Sequence, residues 1–88
     1  MTTSLTITPI NRNYPAFEVQ IGSVVKVWKE TYFSVGIVDD LDTDSDTWGQ
    51  VSLATGGWFF LNGNMNIDPD WRIVALATKE EAATLPPY

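Results

Sequence analysis

Apolar and polar residues alternate over short stretches of this chain, the pattern typical of half-buried β-strands. Residues 2–8 alternate at their later positions, which favours a terminal edge strand. Residues 16–21 fit either a short strand or an extended lead-in. The five segments predicted as the main strands are residues 24–28, 32–38, 48–53, 58–61 and 71–76.

The alternation also assigns a face to each position, because successive side chains of a strand point to opposite sides. The positions that it predicts to face the core are Phe33, Val35, Ile37, Val51 and Leu53, and it places Val25 and Val27 together on one face of their strand. Gly36 lies inside the second of these strands, and a glycine there predicts a bulge or a sharp bend.

The stretch from Gly56 to Gly63 has four large apolar residues in a row, Trp58 to Leu61, with glycine and asparagine on both sides. It is too short to form a helix alone, and its aromatic content favours a strand. Since a strand that is apolar on both faces needs cover on both sides, we expect it at the centre of a curled sheet.

The chain continues after residue 76 with a capping-box pattern, in which Thr78 is the N-cap and Glu81 the third helical residue. This predicts one or two helical turns over residues 79–84. The expected architecture is a single all-β domain over residues 1–88, a small SH3-like barrel of about five strands with a short C-terminal helical turn. An OB-like barrel is the alternative. Residues 1–15 would form an N-terminal edge strand or arm, and residues 78–88 the helical turn and tail.

Two motifs resemble the opening of SH3-like modules: G-S-x-V-x-V-x-x-E-T-Y-F at residues 22–33 and G-x-V-x-x-L-D at residues 36–42. Over this region the chain is similar to the family of photosystem I subunit IV. The resemblance implies an SH3-like fold. That family's basic face for an acidic electron carrier has no counterpart in this acidic chain, so its function is not carried over.

Composition narrows the possible chemistry. The chain has neither cysteine nor histidine, which removes disulfides, thiolate metal sites and the commonest general base. The formal net charge of −6 disfavours direct binding to nucleic acid, because acidic surfaces repel phosphate. We see no signal-peptide pattern, and the longest apolar run, residues 58–61, is far too short for a membrane helix. We therefore expect a cytoplasmic protein that binds no membrane.

Catalysis and cofactors are not expected. No histidine or cysteine is present to activate the serines, and no lysine lies in an apolar stretch that would lower its pKa strongly. The run Asp40-x-Asp42-x-Asp44-x-Asp46 suggests a calcium loop, but Ser45 and Val51 stand where that loop needs glycine and glutamate. We interpret the run as a solvated loop without a metal site. Weak cation binding in the millimolar range stays open.

A non-enzymatic protein-interaction module is the first functional hypothesis, in a viral or bacterial accessory protein or inhibitor. Aromatic residues beside the acidic loop would bind a partner with a basic or proline-rich segment. The candidate partner-binding residues are Tyr32, Asp42, Asp44, Asp46, Trp48 and Trp58. Against this, two of the four tryptophans are expected to be buried in the core. The alternatives are a structural subunit joined through the edge strand at residues 2–8, an acidic nucleic-acid mimic, and an oligomer that binds a small ligand between barrels. The oligomeric state stays open.

Overall fold

The computed structural model describes residues 3–10, 13–45, 47–68 and 70–83. Its elements in chain order are β1 (Leu5–Ile7), β2 (Phe17–Val19), β3 (Val24–Lys29), β4 (Tyr32–Leu41), β5 (Val51–Leu53), β6 (Trp58–Phe59), β7 (Trp71–Leu76) and α1 (Lys79–Ala82). Strands β1 and β2 form a two-stranded antiparallel sheet. The other strands form a five-stranded sheet in the order β6-β5-β4-β3-β7, which curls into a half-barrel. The predicted all-β class with a C-terminal helical turn is confirmed.

The antiparallel pair β3–β4 is the most extensive contact of the larger sheet. It pairs six residues of each strand, from Val24↔Ile37 to Lys29↔Tyr32, across a connection of two residues. Strand β3 also pairs with β7 on its other side, with a register shift between Lys26 and Val27. The β-branched composition of β3 suits this central position, because both of its edges are paired and one of its faces is buried.

The core is built almost entirely from aliphatic side chains. The buried cluster consists of Ile7, Val19, Val25, Val27, Val38, Val51, Leu53, Phe59 and Ile73. The inward orientation predicted for Val51 and Leu53 is therefore confirmed, and Val25 and Val27, which were predicted to share one face, are both buried. Ile7 and Val19 come from β1 and β2, so the small sheet covers the concave side of the larger one.

The predicted core face of β4 is wrong. Phe33 is 45% exposed, and Val35 and Ile37 are only partly buried, whereas Gly36 and Val38 are buried. The reason is the register with β3, in which Gly36 lies opposite Val25, and directly opposed residues share a face. The large apolar side chains at alternate positions of β4 predicted the wrong face, because the register with β3 decides which face of the strand is covered.

Gly36 also does not mark a bulge. The irregularity in β4 lies between Val38 and Asp40, where the pairing with β5 skips a residue. At Gly36 the ladder with β3 is continuous, and an added Cβ would lie 3.1 Å from Cδ1 of Leu53. Glycine is therefore used at this position because the Leu53 side chain occupies the space against β4.

The aromatic stretch at residues 58–61 is not central, as its sequence predicts, but forms the end of the larger sheet. Strand β6 covers only Trp58–Phe59 and pairs with β5. It ends early because the chain turns at once, with the Gly63 N–H donating to the Phe60 carbonyl at 2.9 Å. Isolated bridges, Phe59↔Met65 and Asn64↔Arg72, then lead from β6 toward β7. Phe59 is buried, but Trp58 and Phe60 are only half-buried.

The C-terminal helical turn forms as its capping box predicts. The Glu81 N–H donates to Oγ1 of Thr78 at 3.1 Å, and the Thr78 N–H donates to Oε1 of Glu81 at 3.0 Å. Helix α1 ends at Ala82, with Ala83 as its C-cap. The rest of the predicted helix and the tail, residues 84–88, lie outside the described residues.

Candidate functional site

The loop after β4 is organised by Asp42. Its Oδ1 accepts hydrogen bonds from the N–H groups of Asp44 at 2.9 Å and Ser45 at 3.1 Å, which is an Asx-type turn. Its own N–H donates to the carbonyl of Gln50 at 2.8 Å, which holds the two sides of the loop together. Asp42 is half-buried and Asp44 is exposed. Asp42 therefore shapes the loop, and Asp44 presents a free carboxylate to solvent.

Trp48 and Trp58 lie beside this loop. Trp48 is 59% exposed, an unusual position for the largest side chain. The next residue, Gly49, is buried, and a Cβ there would come within 3.0 Å of Cβ of Trp58. The backbone next to Trp48 thus packs directly on Trp58. We call the surface formed by Asp42, Asp44, Trp48 and Trp58 the Asp-loop surface.

Tyr32 does not belong to the Asp-loop surface. It begins β4, whereas Asp42 follows the last residue of that strand, so about 30 Å of strand separates them at about 3.3 Å per residue. Asp46, another predicted site residue, lies outside the described residues. The expectation that two tryptophans are buried is wrong, since Trp28, Trp58 and Trp71 are half-buried and Trp48 is exposed.

A second feature, which sequence reasoning missed, is an open cleft of about 320 Å³ on the face of the larger sheet opposite Val25 and Val27, lined by Tyr14, Trp28, Phe33, Arg72 and Val74. We call it the aromatic cleft. The rings of Trp28 and Phe33 meet edge to face, with centroids 4.7 Å apart and an interplanar angle of 61°. Trp28 is the direct cross-strand partner of both Phe33 in β4 and Arg72 in β7, so two registers place three of the lining residues side by side. The two-residue turn after Lys29 is a sequence signal for the first of these registers, and no comparable signal predicts the second.

Basic side chains gather around the aromatic cleft. Lys26 Nζ lies 4.4 Å from the centroid of the Phe33 ring and 3.2 Å from Oε2 of Glu81. Lys29 Nζ lies 4.6 Å from the centroid of the Trp71 ring, on the other face of β3 from Trp28. The Nε of Arg72 is shielded from solvent and has no hydrogen-bond partner among the described residues. Lys26 and Arg72 therefore bring positive charge to the cleft, while the acidic residues Glu30 and Asp70 flank Lys29 and Trp71 at the same end of the sheet.

The pKa of Glu81 is lowered, chiefly because its carboxylate accepts the backbone N–H of Thr78 and then because it pairs with Lys26. A carboxyl whose pKa is lower in the folded than in the unfolded state stabilises the fold above its unfolded pKa. That contribution is lost as the pH falls through the lowered folded pKa. The cap of α1 is thus acid-sensitive, and its ion pair links the helix to the edge of the aromatic cleft.

Three further carboxylates lie close together, one in the turn after β3 and two in the turn before β7. Oxygen atoms of Glu30, Asp68 and Asp70 lie within 4.8 Å of one another. The Asp70 N–H donates to Oδ1 of Asp68 at 3.0 Å, so one member of the group shapes its own turn. The group does not include the Asp40–Asp46 run in which weak cation binding was left open. Exposed acidic groups commonly gather in solvated turns, and this cluster by itself does not define a metal site.

No family model, curated protein or solved structure matches the chain. Within the part of the chain that the structure describes, no helix has the length and apolar character needed to cross a membrane. Function is therefore inferred from the Asp-loop surface and the aromatic cleft.

Proposed function

We propose that the protein is a non-enzymatic protein-interaction module, which binds a basic segment of a larger protein through the Asp-loop surface. The observation that carries this proposal is the exposure of Trp48, 59%, in the same loop as the carboxylates of Asp42 and Asp44. Tryptophan supplies a large rigid contact area, and it is among the residues that most often anchor protein interfaces.

Charge supports a basic partner. Five aspartates lie close together in sequence between residues 39 and 46: Asp39, Asp40, Asp42, Asp44 and Asp46. No lysine or arginine occurs between residues 39 and 58 to balance them. An unbalanced group of like charges attracts cationic side chains and accelerates the encounter with a basic partner. The face of Trp48 adds a cation–π acceptor for an incoming lysine or arginine.

In this proposal the protein acts by binding a partner and not by catalysis. A chain without histidine or cysteine has no conventional nucleophile–base pair, whereas an exposed tryptophan beside fixed acids needs only contact to act. The protein would serve in the cytoplasm of a virus-infected or bacterial cell as an accessory or inhibitory protein, and would act by occupying a surface of its partner.

Binding of a lysine- and arginine-rich peptide, measured by Trp fluorescence and by NMR, tests the proposal. We expect Trp48→Ala and Asp44→Asn each to weaken binding at least about tenfold, since each removes a contact worth about 1.4 kcal/mol or more. Neither should change the melting temperature by more than a few degrees, because both side chains are exposed. Glu80→Gln, on exposed α1, is the charge-matched control and should bind like the wild type. Wild-type affinity in both test variants would contradict the proposal.

A subunit of an oligomeric assembly is the second candidate, because large apolar side chains remain exposed away from the Asp-loop surface. Ile21 is 63% and Ile67 is 72% exposed, and such side chains are commonly covered at subunit interfaces. Light scattering after size-exclusion chromatography tests it. A concentration-dependent dimer that Ile67→Ser dissociates would favour assembly, and a monomer at high concentration would exclude it.

A further inference from the structure

The aromatic cleft has the form of a small-molecule site. Its volume of about 320 Å³ lies at the lower end of the roughly 300–1,000 Å³ typical of such sites. Its main wall is rigid, because Trp28 and Phe33 pack edge to face and are paired across neighbouring strands. Tyr14 comes from the connection between β1 and β2, so two sheets contribute to the lining. A flat ring would pack on this wall without displacing any core residue.

Arg72 decides what chemistry the cleft can take. Its guanidinium is permanently charged, and the Nε–H has no acceptor among the described residues although it is shielded from water. A buried donor without a partner costs free energy, which a ligand that supplies an acceptor would recover. The flat fork of Nε and Nη matches the two oxygens of a carboxylate. Because Nε is covered, a carboxylate pairs with it only after a rotation of the Arg72 side chain that turns Nε toward the cleft.

Lys26, the other cation near the cleft, is already engaged, because its Nζ lies 3.2 Å from Oε2 of Glu81. Arg72 therefore remains as the cleft-lining cation that can take a new anionic partner.

We propose that the aromatic cleft binds a small aromatic carboxylate, with its ring against Trp28 and Phe33 and its carboxylate on the guanidinium of Arg72. The size of the cleft favours a free small molecule over a peptide. The site is independent of the Asp-loop surface, because Phe33 lies near the first residue of β4 and the loop follows the last.

The test uses a matched pair of ligands, indole-3-acetate and its neutral amide, indole-3-acetamide, titrated into the ¹⁵N-labelled protein and followed by NMR. We expect saturable shifts of the Trp28 side-chain N–H and of the Phe33 and Arg72 backbone amides. The carboxylate should bind at least tenfold more tightly than the amide. Arg72→Gln should abolish this preference, and Arg72→Lys, which keeps the charge but loses the fork, should reduce it.

Lys79→Gln is the control variant, because it removes one positive charge from exposed α1 outside the cleft. It should keep the preference of the wild type, which separates contact with Arg72 from net charge. If Arg72→Gln does not fold, the comparison of acid with amide on the wild type and on Arg72→Lys still decides. Equal affinity for acid and amide, shifts outside the cleft, or no saturation overturns the proposal. Binding of a proline-rich peptide in the cleft, without a preference for the carboxylate over the amide, also overturns the proposal.

Discussion

Gly63 is the position where the fold depends most clearly on the absence of a side chain. Its φ of +91° is in the region that L-residues rarely adopt, and an added Cβ would collide with the carbonyl oxygen of Ile73. The same glycine accepts a hydrogen bond from the Ile73 N–H at 2.7 Å. This contact joins the turn after β6 to β7, so Gly63→Ala should open the connection between the two ends of the larger sheet.

The expected cost comes from two sources. Holding a non-glycine residue at positive φ costs about 1–3 kcal/mol, and losing the hydrogen bond between Ile73 and Gly63 costs about 0.5–1.5 kcal/mol. We expect a loss of about 2–4 kcal/mol in the free energy of unfolding. Domains of this length have roughly 4–13 kcal/mol in total, so the loss should lower the melting temperature by about 10–25 °C. Urea unfolding followed by tryptophan fluorescence measures it.

Gly56→Ala is the matched control. Gly56 has φ +109°, but a Cβ there would meet nothing within 4 Å. Both variants carry the backbone penalty, and both gain the same small stabilisation from a less flexible unfolded chain. Gly63→Ala should therefore be the less stable variant by about 1–2 kcal/mol, the part due to the collision and the lost hydrogen bond. Equal stabilities would refute the role given to the contact with Ile73.

Three other predictions test local features. Asp42→Ala should cost about 1 kcal/mol in urea unfolding, whereas Asp42→Asn, which keeps an Oδ1 acceptor, should be nearly neutral. Val38→Ser should destabilise the protein by about 2–4 kcal/mol and Val35→Ser by less than about 1 kcal/mol, in the same assay, because only Val38 faces the core. Lowering the pH through the lowered pKa of Glu81 should release the cap of α1, seen as a shift of the Thr78 amide in NMR, and Glu81→Gln should remove that titration.

Local patterns predict the elements whose cause is local. The capping box specifies its own hydrogen bonds, and a run of β-branched residues such as that of β3 favours a strand. The face of β4 has no local cause. Phe33 is larger than its neighbours Ser34 and Gly36 but lies outside, because pairing with β3 and the position of Leu53 decide which side is closed.

The same limit applies to the candidate site. Proximity in sequence was enough to place Trp48 with Asp42 and Asp44, since these residues share one loop. Sequence reasoning was misleading for Tyr32, because this residue begins β4 and the loop follows the last of the ten residues of that strand. The aromatic cleft could not be predicted from alternation alone, because it combines residues from three strands and the β1–β2 connection, and it requires Phe33 on the outer face.

The distribution of aromatic residues supports the proposal that this domain acts by contact. Burying one ring hides about 150–250 Å² from water, so folding alone would place rings inside a small core. Among the aromatic side chains that the structure describes, only Phe59 is buried, and the rest of the core cluster is aliphatic. Rings are instead exposed or half-exposed at both ends of β4, beside acids at one end and beside Arg72 at the other. Because the core cluster is formed mainly by valine and isoleucine, exposed and half-exposed rings remain for contact with ligands. Each of these two groups of rings lies near charged side chains, which would select the ligand.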